Sequence, residues 1–157
     1  AQDAEIYGFE IASQHFFGDT GFGYQFNYTM VEGDIGYDNG SNPDEDQFAL
    51  PGLSDTLNLV AIYEKDGLSA RLAYNWRDNF LNQVNRSVGS TRNPEYVDEF
   101  EQLDLNVSYE FDSGVTLSLD AINLTSEGLR KYGRTDTAAF FVQELDPRYV
   151  FSARYTF

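Results

Sequence analysis

The sequence predicts an all-β fold, an antiparallel up-and-down meander of about seven strands. Apolar and polar residues alternate with a period of two in seven segments, as half-buried strands require. Short and long connections alternate between these segments. Phe and Tyr are abundant, with 13 and 11 copies among 157 residues, and this richness favours strands over helices.

Each of the seven segments places large apolar side chains on one face of a strand and small or polar ones on the other. The second segment is the clearest, because Phe22, Tyr24, Phe26 and Tyr28 alternate with small or polar residues. In the third segment Val60 weakens the contrast. The seven predicted strands cover residues 7–12, 22–30, 57–63, 68–77, 102–111, 115–121 and 148–157.

The connections alternate regularly in length. Three are tight turns that contain Gly, at 18–21, 65–67 and 112–114. The other three are long loops rich in Gly, Asn, Asp and Ser, at about 33–55, 78–98 and 125–146. Short turns on one side and long loops on the other are typical of bacterial outer-membrane barrels.

The distribution of aromatic residues indicates which face meets lipid. Aromatic residues cluster near the short turns and again near the long loops, with Leu, Ala and Val between the two clusters. A bilayer selects such paired girdles on the outward face of a barrel. The girdle residues are Phe16, Phe17, Phe22, Tyr63, Tyr109, Phe111, Tyr155 and Phe157 near the turns, and Tyr28, Tyr74, Trp76 and Tyr149 near the loops.

Composition excludes several other classes of protein. The net charge of −16 argues against a nucleic-acid-binding module, and the absence of Cys excludes disulfides and thiolate chemistry. The longest apolar runs, 59–63 and 138–142, are far shorter than the ~20 residues of a transmembrane helix. Residues 1–5 do not resemble a signal peptide, so we expect a chain derived from a longer precursor.

Four segments resemble the C-terminal end of TonB-dependent receptors, which are plugged barrels that import scarce nutrients. The resemblance covers nearly the whole chain, including a block found in a proteobacterial branch with many carbohydrate receptors. The segments are IYGFE at 6–10; LPGLS at 50–54 with NL at 58–59 and GLSAR at 67–71; AINLT at 121–125 with RKYG at 130–133; and YVFSARYTF at 149–157.

The resemblance implies that residues 1–157 form the C-terminal segment of a transmembrane β-barrel of about 22 strands. The plug domain and the earlier strands would lie outside this chain. Implied partners are outer-membrane lipid, the protein's own plug, a TonB-type energy-coupling protein and the barrel-assembly machinery. The cargo would be an extracellular oligosaccharide or a ferric siderophore. The chain would be neither an enzyme nor a cofactor-binding protein.

Polar residues on the strands are candidates for the face that lines the lumen and contacts the plug or the ligand, although alternation alone also places polar residues there. Arg is the best suited of them to bind a carboxylate or phosphate. The lumen candidates are Glu10, Asn27, Arg71, Asn75, Asp104, Asp120 and Arg154. Aromatic and Arg residues on or near the long loops are candidate ligand contacts; these are Arg77, Trp76, Tyr96, Tyr132 and Arg134.

Three further features of the sequence bear on assembly, catalysis and metal binding. Phe151, Tyr155 and Phe157 form a candidate C-terminal signal for the assembly machinery. The only His, at position 15, is near a short turn and offers little support for catalysis. The acidic segment 34–46 does not match an EF-hand and is predicted to be a solvated loop, with calcium binding left open as the alternative.

Two alternatives to the receptor remain open from the sequence. A small complete outer-membrane barrel with a structural or adhesive role would need an eighth strand, which residues 132–143 could supply. A soluble β-sandwich binding module would instead bury the aromatic rows against each other.

Overall fold

The computed structural model describes residues 3–157, apart from the side chain of Val88. Residues 1–2 of the predicted domain lie outside this range. Within it the chain forms eleven strands and one 3₁₀ turn at Gly18–Thr20. The strands are β1 (Ile6–Phe16), β2 (Phe22–Gly33), β3 (Thr56–Lys65), β4 (Leu68–Arg77), β5 (Phe80–Val88), β6 (Thr91–Val97), β7 (Phe100–Glu110), β8 (Val115–Ile122), β9 (Leu129–Tyr132), β10 (Ala139–Gln143) and β11 (Arg148–Tyr155).

Seven strands form one antiparallel sheet in the order β1-β2-β3-β4-β7-β8-β11. They coincide with the seven predicted segments, and each pairs with the next one along the predicted meander. The all-β antiparallel prediction is therefore confirmed. The described residues contain no helix of sufficient length and apolar character to cross a bilayer.

The prediction of the long loops was incomplete. Segments 78–98 and 125–146 contain β5, β6, β9 and β10, which form a second sheet in the order β10-β9-β6-β5. The strands in 132–143 thus belong to this second sheet and do not add an eighth strand to the meander.

Local irregularity explains why these four strands were missed. The β5–β6 pairing shifts register twice and the β9–β10 pairing once, so period-two alternation is broken. Pro94, which is fully buried, falls between two paired residues of β6, and a Pro inside a run argues against a strand.

The apolar face of the seven-stranded sheet is exposed. Leu59 retains 44% of its accessible surface and Phe151 retains 79%. The extensive contacts between strands all join hydrogen-bonded neighbours, so no second sheet covers this face within residues 3–157. The sandwich alternative required these rows to be buried against each other, and the structure does not bury them.

Glycines in the short turns connect successive hairpins at one end of the strands. The carbonyl oxygens of Gly21, Gly67 and Gly114 accept hydrogen bonds from the backbone N–H groups of Glu64, Glu110 and Thr156, at 2.8, 2.9 and 3.0 Å. All three glycines have φ near +80°, which favours residues without a side chain. This repeated contact sets the stagger between neighbouring hairpins.

Replacing Gly67 with Ala should impair folding. The φ of +80° costs about 1–2 kcal/mol for a residue with a Cβ, and that Cβ would lie 2.6 Å from the Glu110 carbonyl oxygen. We expect SDS gel electrophoresis to show a smaller fraction of heat-modifiable, folded protein. The control is Gly36→Ala, because nothing lies within 4 Å of a Cβ built there. Equal folded fractions for the two variants would contradict the prediction.

Candidate functional site

The polar face of the seven-stranded sheet carries all seven predicted lumen residues. A row of amides crosses four strands in direct register, with Asn27 opposite Asn58, Asn58 opposite Asn75, and Asn75 opposite Gln102. The lumen candidates on this face are Glu10, Asn27, Arg71, Asn75, Asp104, Asp120 and Arg154. Their contact with a plug or a ligand stays a prediction.

Several carboxylates on this face are bound by neighbouring amides. The Asn27 Nδ2 atom donates to Glu10 at 2.5 Å, and the Asn106 Nδ2 atom donates to Asp120 at 2.5 Å. Asp104 accepts hydrogen bonds from the Gln102 side chain at 2.9 and 3.0 Å. Pairing of this kind holds the carboxylates in fixed positions, so the face presents a largely preorganised polar surface.

A concave pocket of about 560 Å³ lies on this face. Asn58, Asn75 and Gln25 line it together with Arg71, and Val60 contributes apolar surface. The Arg71 guanidinium donates to the Gln25 side-chain oxygen at 3.3 Å. Since an amide both donates and accepts hydrogen bonds, the pocket is suited to an uncharged polar group such as a hydroxyl or a peptide unit.

The predicted contacts Trp76 and Arg77 lie on opposite faces because they are consecutive in one strand. The Trp76 Nε1 atom donates to Glu99 at 2.5 Å on the apolar face, where the Tyr74 hydroxyl donates to Glu101 at 3.0 Å. Arg77 lies on the polar face with its guanidinium carbon 3.8 Å from the centre of the Phe80 ring. Its Nε atom is buried and has no hydrogen-bond partner among the described residues.

Tyr96 and Tyr132 come together on the second sheet. They are register partners of β6 and β9, and their rings stack at 5.3 Å with an interplanar angle of 14°. Burial, followed by the charge of Asp98, raises the pKa of the Tyr132 hydroxyl. The hydroxyl therefore stays protonated and can donate a hydrogen bond at neutral pH.

Arg134, the last predicted ligand contact, anchors the first long loop to the second sheet. Its Nη1 atom donates to the backbone oxygens of Asn39 at 2.8 Å and Ser41 at 3.0 Å. Its Nη2 atom donates to the Tyr37 hydroxyl and the Arg92 backbone oxygen, both at 3.2 Å. With the Nε atom also donating to Asn93 at 3.4 Å, all five N–H groups are occupied.

The predicted assembly-signal residues belong to β11 and the residues after it. Phe151 lies within the apolar face, and Tyr155 lies at the end that carries the short turns. Phe151 pairs with Leu119, and Tyr155 pairs with Val115. The rings of Tyr155 and Phe157 are 6.2 Å apart, and Phe157 is fully exposed.

His15 contacts the Phe17 ring edge-on at 4.9 Å near the first turn. Among residues 3–157 no group of three or more His, Cys, Asp or Glu side chains is arranged to hold a metal ion.

The most buried charged group on the second sheet was not predicted from the sequence. Glu95 is 7% exposed and accepts hydrogen bonds from Lys131 at 2.8 Å and Asn82 at 2.8 Å, while the Arg86 Nε atom lies 3.5 Å away. Burial alone would raise the pKa of Glu95, but the hydrogen bonds and the two positive charges outweigh it and lower that pKa. Glu95 was missed because it follows Pro94 in a segment predicted to be a loop.

Comparison with known proteins identified one family. The family model described as "TonB dependent receptor-like, beta-barrel" matches residues 1–124. No curated protein and no solved structure matches the chain.

Replacing Glu95 with Ala should loosen the second sheet by about 2 kcal/mol, because Lys131 and Arg86 would lose their shared partner. Hydrogen exchange of β6 and β9 at neutral pH measures this effect. Since the pKa of Glu95 is lowered by folding, its contribution is complete above the ordinary carboxyl pKa and is lost as the pH falls through the folded value. The two proteins should therefore converge at acid pH.

The matched control is Asp46→Ala. Asp46 pairs with Arg92 at 3.1 Å but its side chain is 74% exposed, so removing it should cost less than about 1 kcal/mol. Equal protection of wild-type and Glu95→Ala protein at neutral pH would refute the assignment of Glu95 as the anchor of this sheet.

Proposed function

Because the chain belongs to the family of TonB-dependent receptor-like β-barrels, we propose that it forms part of an outer-membrane receptor that imports an oligosaccharide or a ferric siderophore. The observation that carries the proposal is the seven-stranded sheet with an exposed apolar face and a polar opposite face. Such a sheet suits a barrel with lipid outside and a hydrated lumen inside.

The proposed location is the bacterial outer membrane, with lipid against the apolar face. Aromatic rings at both ends of this face support that orientation. Phe22 and Tyr63 approach at 4.7 Å near the short turns, and the Tyr28 hydroxyl donates to Asp55 at 2.9 Å near the long loops. Rings with one apolar and one polar side settle at the headgroup level of a membrane.

We assign the chain to one part of a larger barrel, with a plug domain and a TonB-type energy-coupling protein as partners. The open edges of β1 and β11 support this assignment, because each strand has a neighbour on one side only within the described residues. A closed barrel would give both edges a partner. The polar face would then contact the plug.

The cargo would be captured at the second sheet and at the loop end of the polar face. Arg77 is the best placed of the predicted contacts, because it lies on the polar face at the end of β4 that leads into a long loop. Trp76 is better suited to the membrane interface, and the occupied guanidinium of Arg134 is better suited to holding the loops. The Tyr96–Tyr132 pair offers aromatic surface on the second sheet. The row of amides supports an oligosaccharide, since amides match the hydroxyl groups of sugars.

Loss of the gene should abolish uptake of one nutrient class and leave general growth intact. The measurement is uptake of labelled oligosaccharides and ferric siderophores by wild-type cells, the deletion strain and a strain without the TonB-type protein. Both mutants should lose uptake of the same compound, and the full-length receptor should fractionate with the outer membrane. Fractionation elsewhere, or uptake that persists without energy coupling, would overturn the proposal.

Replacing Phe157 with Ala should lower the amount of receptor assembled in the membrane several-fold. Phe157 is fully exposed, with its ring 6.2 Å from that of Tyr155, so its loss removes little stability from the folded protein. A drop in assembled receptor would therefore reflect recognition by the assembly machinery. The control is Phe48→Ala, an exposed aromatic residue in a loop. The same folded amount in both variants would eliminate the signal role.

A further inference from the structure

The second sheet contains a pocket that the family assignment does not explain. Its volume is about 330 Å³, within the range of small-molecule sites. Arg86 of β5, Asn93 of β6, Arg134 and Phe140 of β10 line it. The pocket therefore lies between the two long connections that form this sheet.

This pocket is positively charged although the chain carries a net charge of −16. No acidic side chain lines it within the described residues. The lining instead contains two guanidinium groups, those of Arg86 and Arg134. Two arginines without a carboxylate in the wall of a pocket favour an anionic ligand at this position.

Arg86 is held in place by two contacts that leave its terminal nitrogens available. Its guanidinium carbon lies 4.2 Å from the centre of the Phe140 ring, and its Nε atom lies 3.5 Å from Glu95. Neither terminal nitrogen has a hydrogen-bond partner among the described residues. A planar guanidinium fixed in this way is prepared for bidentate binding of a carboxylate or phosphate.

Two neighbours make this arrangement favourable for an anion. Lys131 binds Glu95 at 2.8 Å, so the carboxylate is shared and does not neutralise Arg86 fully. Arg134 contributes a second fixed positive charge, although its own N–H groups are occupied. The two roles therefore differ. Arg86 can donate hydrogen bonds to a ligand, and Arg134 attracts an anion through its positive charge.

We propose that this pocket binds a carboxylate or phosphate group of a small ligand, with Arg86 as the direct contact and the exposed part of Phe140 against the ligand's body. The inference rests on the proposed function and deepens it, because it makes the captured cargo an anion. A carboxylate and a phosphate would both accept hydrogen bonds from the Arg86 guanidinium, and separate probes distinguish the two groups.

The test measures binding to the purified full-length receptor by isothermal titration calorimetry. The probes are trigalacturonate, inorganic phosphate and, as the neutral counterpart, a galactose trisaccharide. Wild type should bind at least one anion, and binding should weaken as salt is added. Arg86→Gln should weaken that binding roughly 10- to 100-fold, the loss expected for a charge-assisted bidentate contact.

The matched control is Arg92→Gln. Arg92 lies on the same sheet and its removal changes the net charge equally, but it pairs with Asp46 and is not part of the pocket lining. It should bind the anion as wild type does. Glu95 keeps Lys131 and Asn82 when Arg86 is replaced, so the variant should fold, and circular dichroism checks this.

The outcomes separate this inference from the proposed function. If neither anion binds, or if Arg86→Gln and Arg92→Gln bind equally, the anion pocket is refuted, while energy-dependent uptake of a neutral nutrient would still stand. If the anion binds through Arg86 but deletion of the gene affects no uptake, the pocket is supported and the transport proposal fails.

Discussion

The structure depends on an apolar sheet face that the described part of the chain does not cover. Few apolar side chains are buried in residues 3–157, among them Val60, Ile62 and Ala121, whereas many Phe and Tyr side chains remain exposed. Monomeric proteins in water rarely leave so large an apolar surface uncovered. The proposed outer-membrane location would place lipid against this face, and membership of the receptor barrel family agrees with it.

Backbone hydrogen bonding imposes the second constraint. In a membrane every backbone N–H and C=O group must be paired, which a closed barrel achieves without edges. The contacts between Gly21, Gly67 or Gly114 and the following hairpin extend the pairing into the turns. Because each of these glycines has a positive φ, the register of the sheet depends on residues that contribute no side chain.

The two sheets differ in the kind of chemistry they offer. The polar face of the first presents amides whose neighbouring carboxylates are already bound, which suits neutral hydrogen-bonding groups. The second concentrates positive charge around Glu95, whose lowered pKa shows that its partners outweigh the penalty of burial. A receptor built on both could select a ligand by its hydroxyl groups and by its charge.

The sequence alone determined the seven-stranded meander, its two faces and the tight turns, because each depends on local rules of alternation and turn chemistry. Trp76 and Arg77 could be assigned to opposite faces from their adjacency alone. The second sheet was decided only by tertiary structure, since bulges and Pro94 remove the periodic signal from its strands. Tertiary structure also decided the ion pairs of Glu95 with Arg86 and Lys131, and the pocket lined by Arg86 and Phe140. Residues from β5, β6, β9 and β10 meet there. Contacts between residues some 40 positions apart leave no pattern along the chain, and only the folded backbone brings them together.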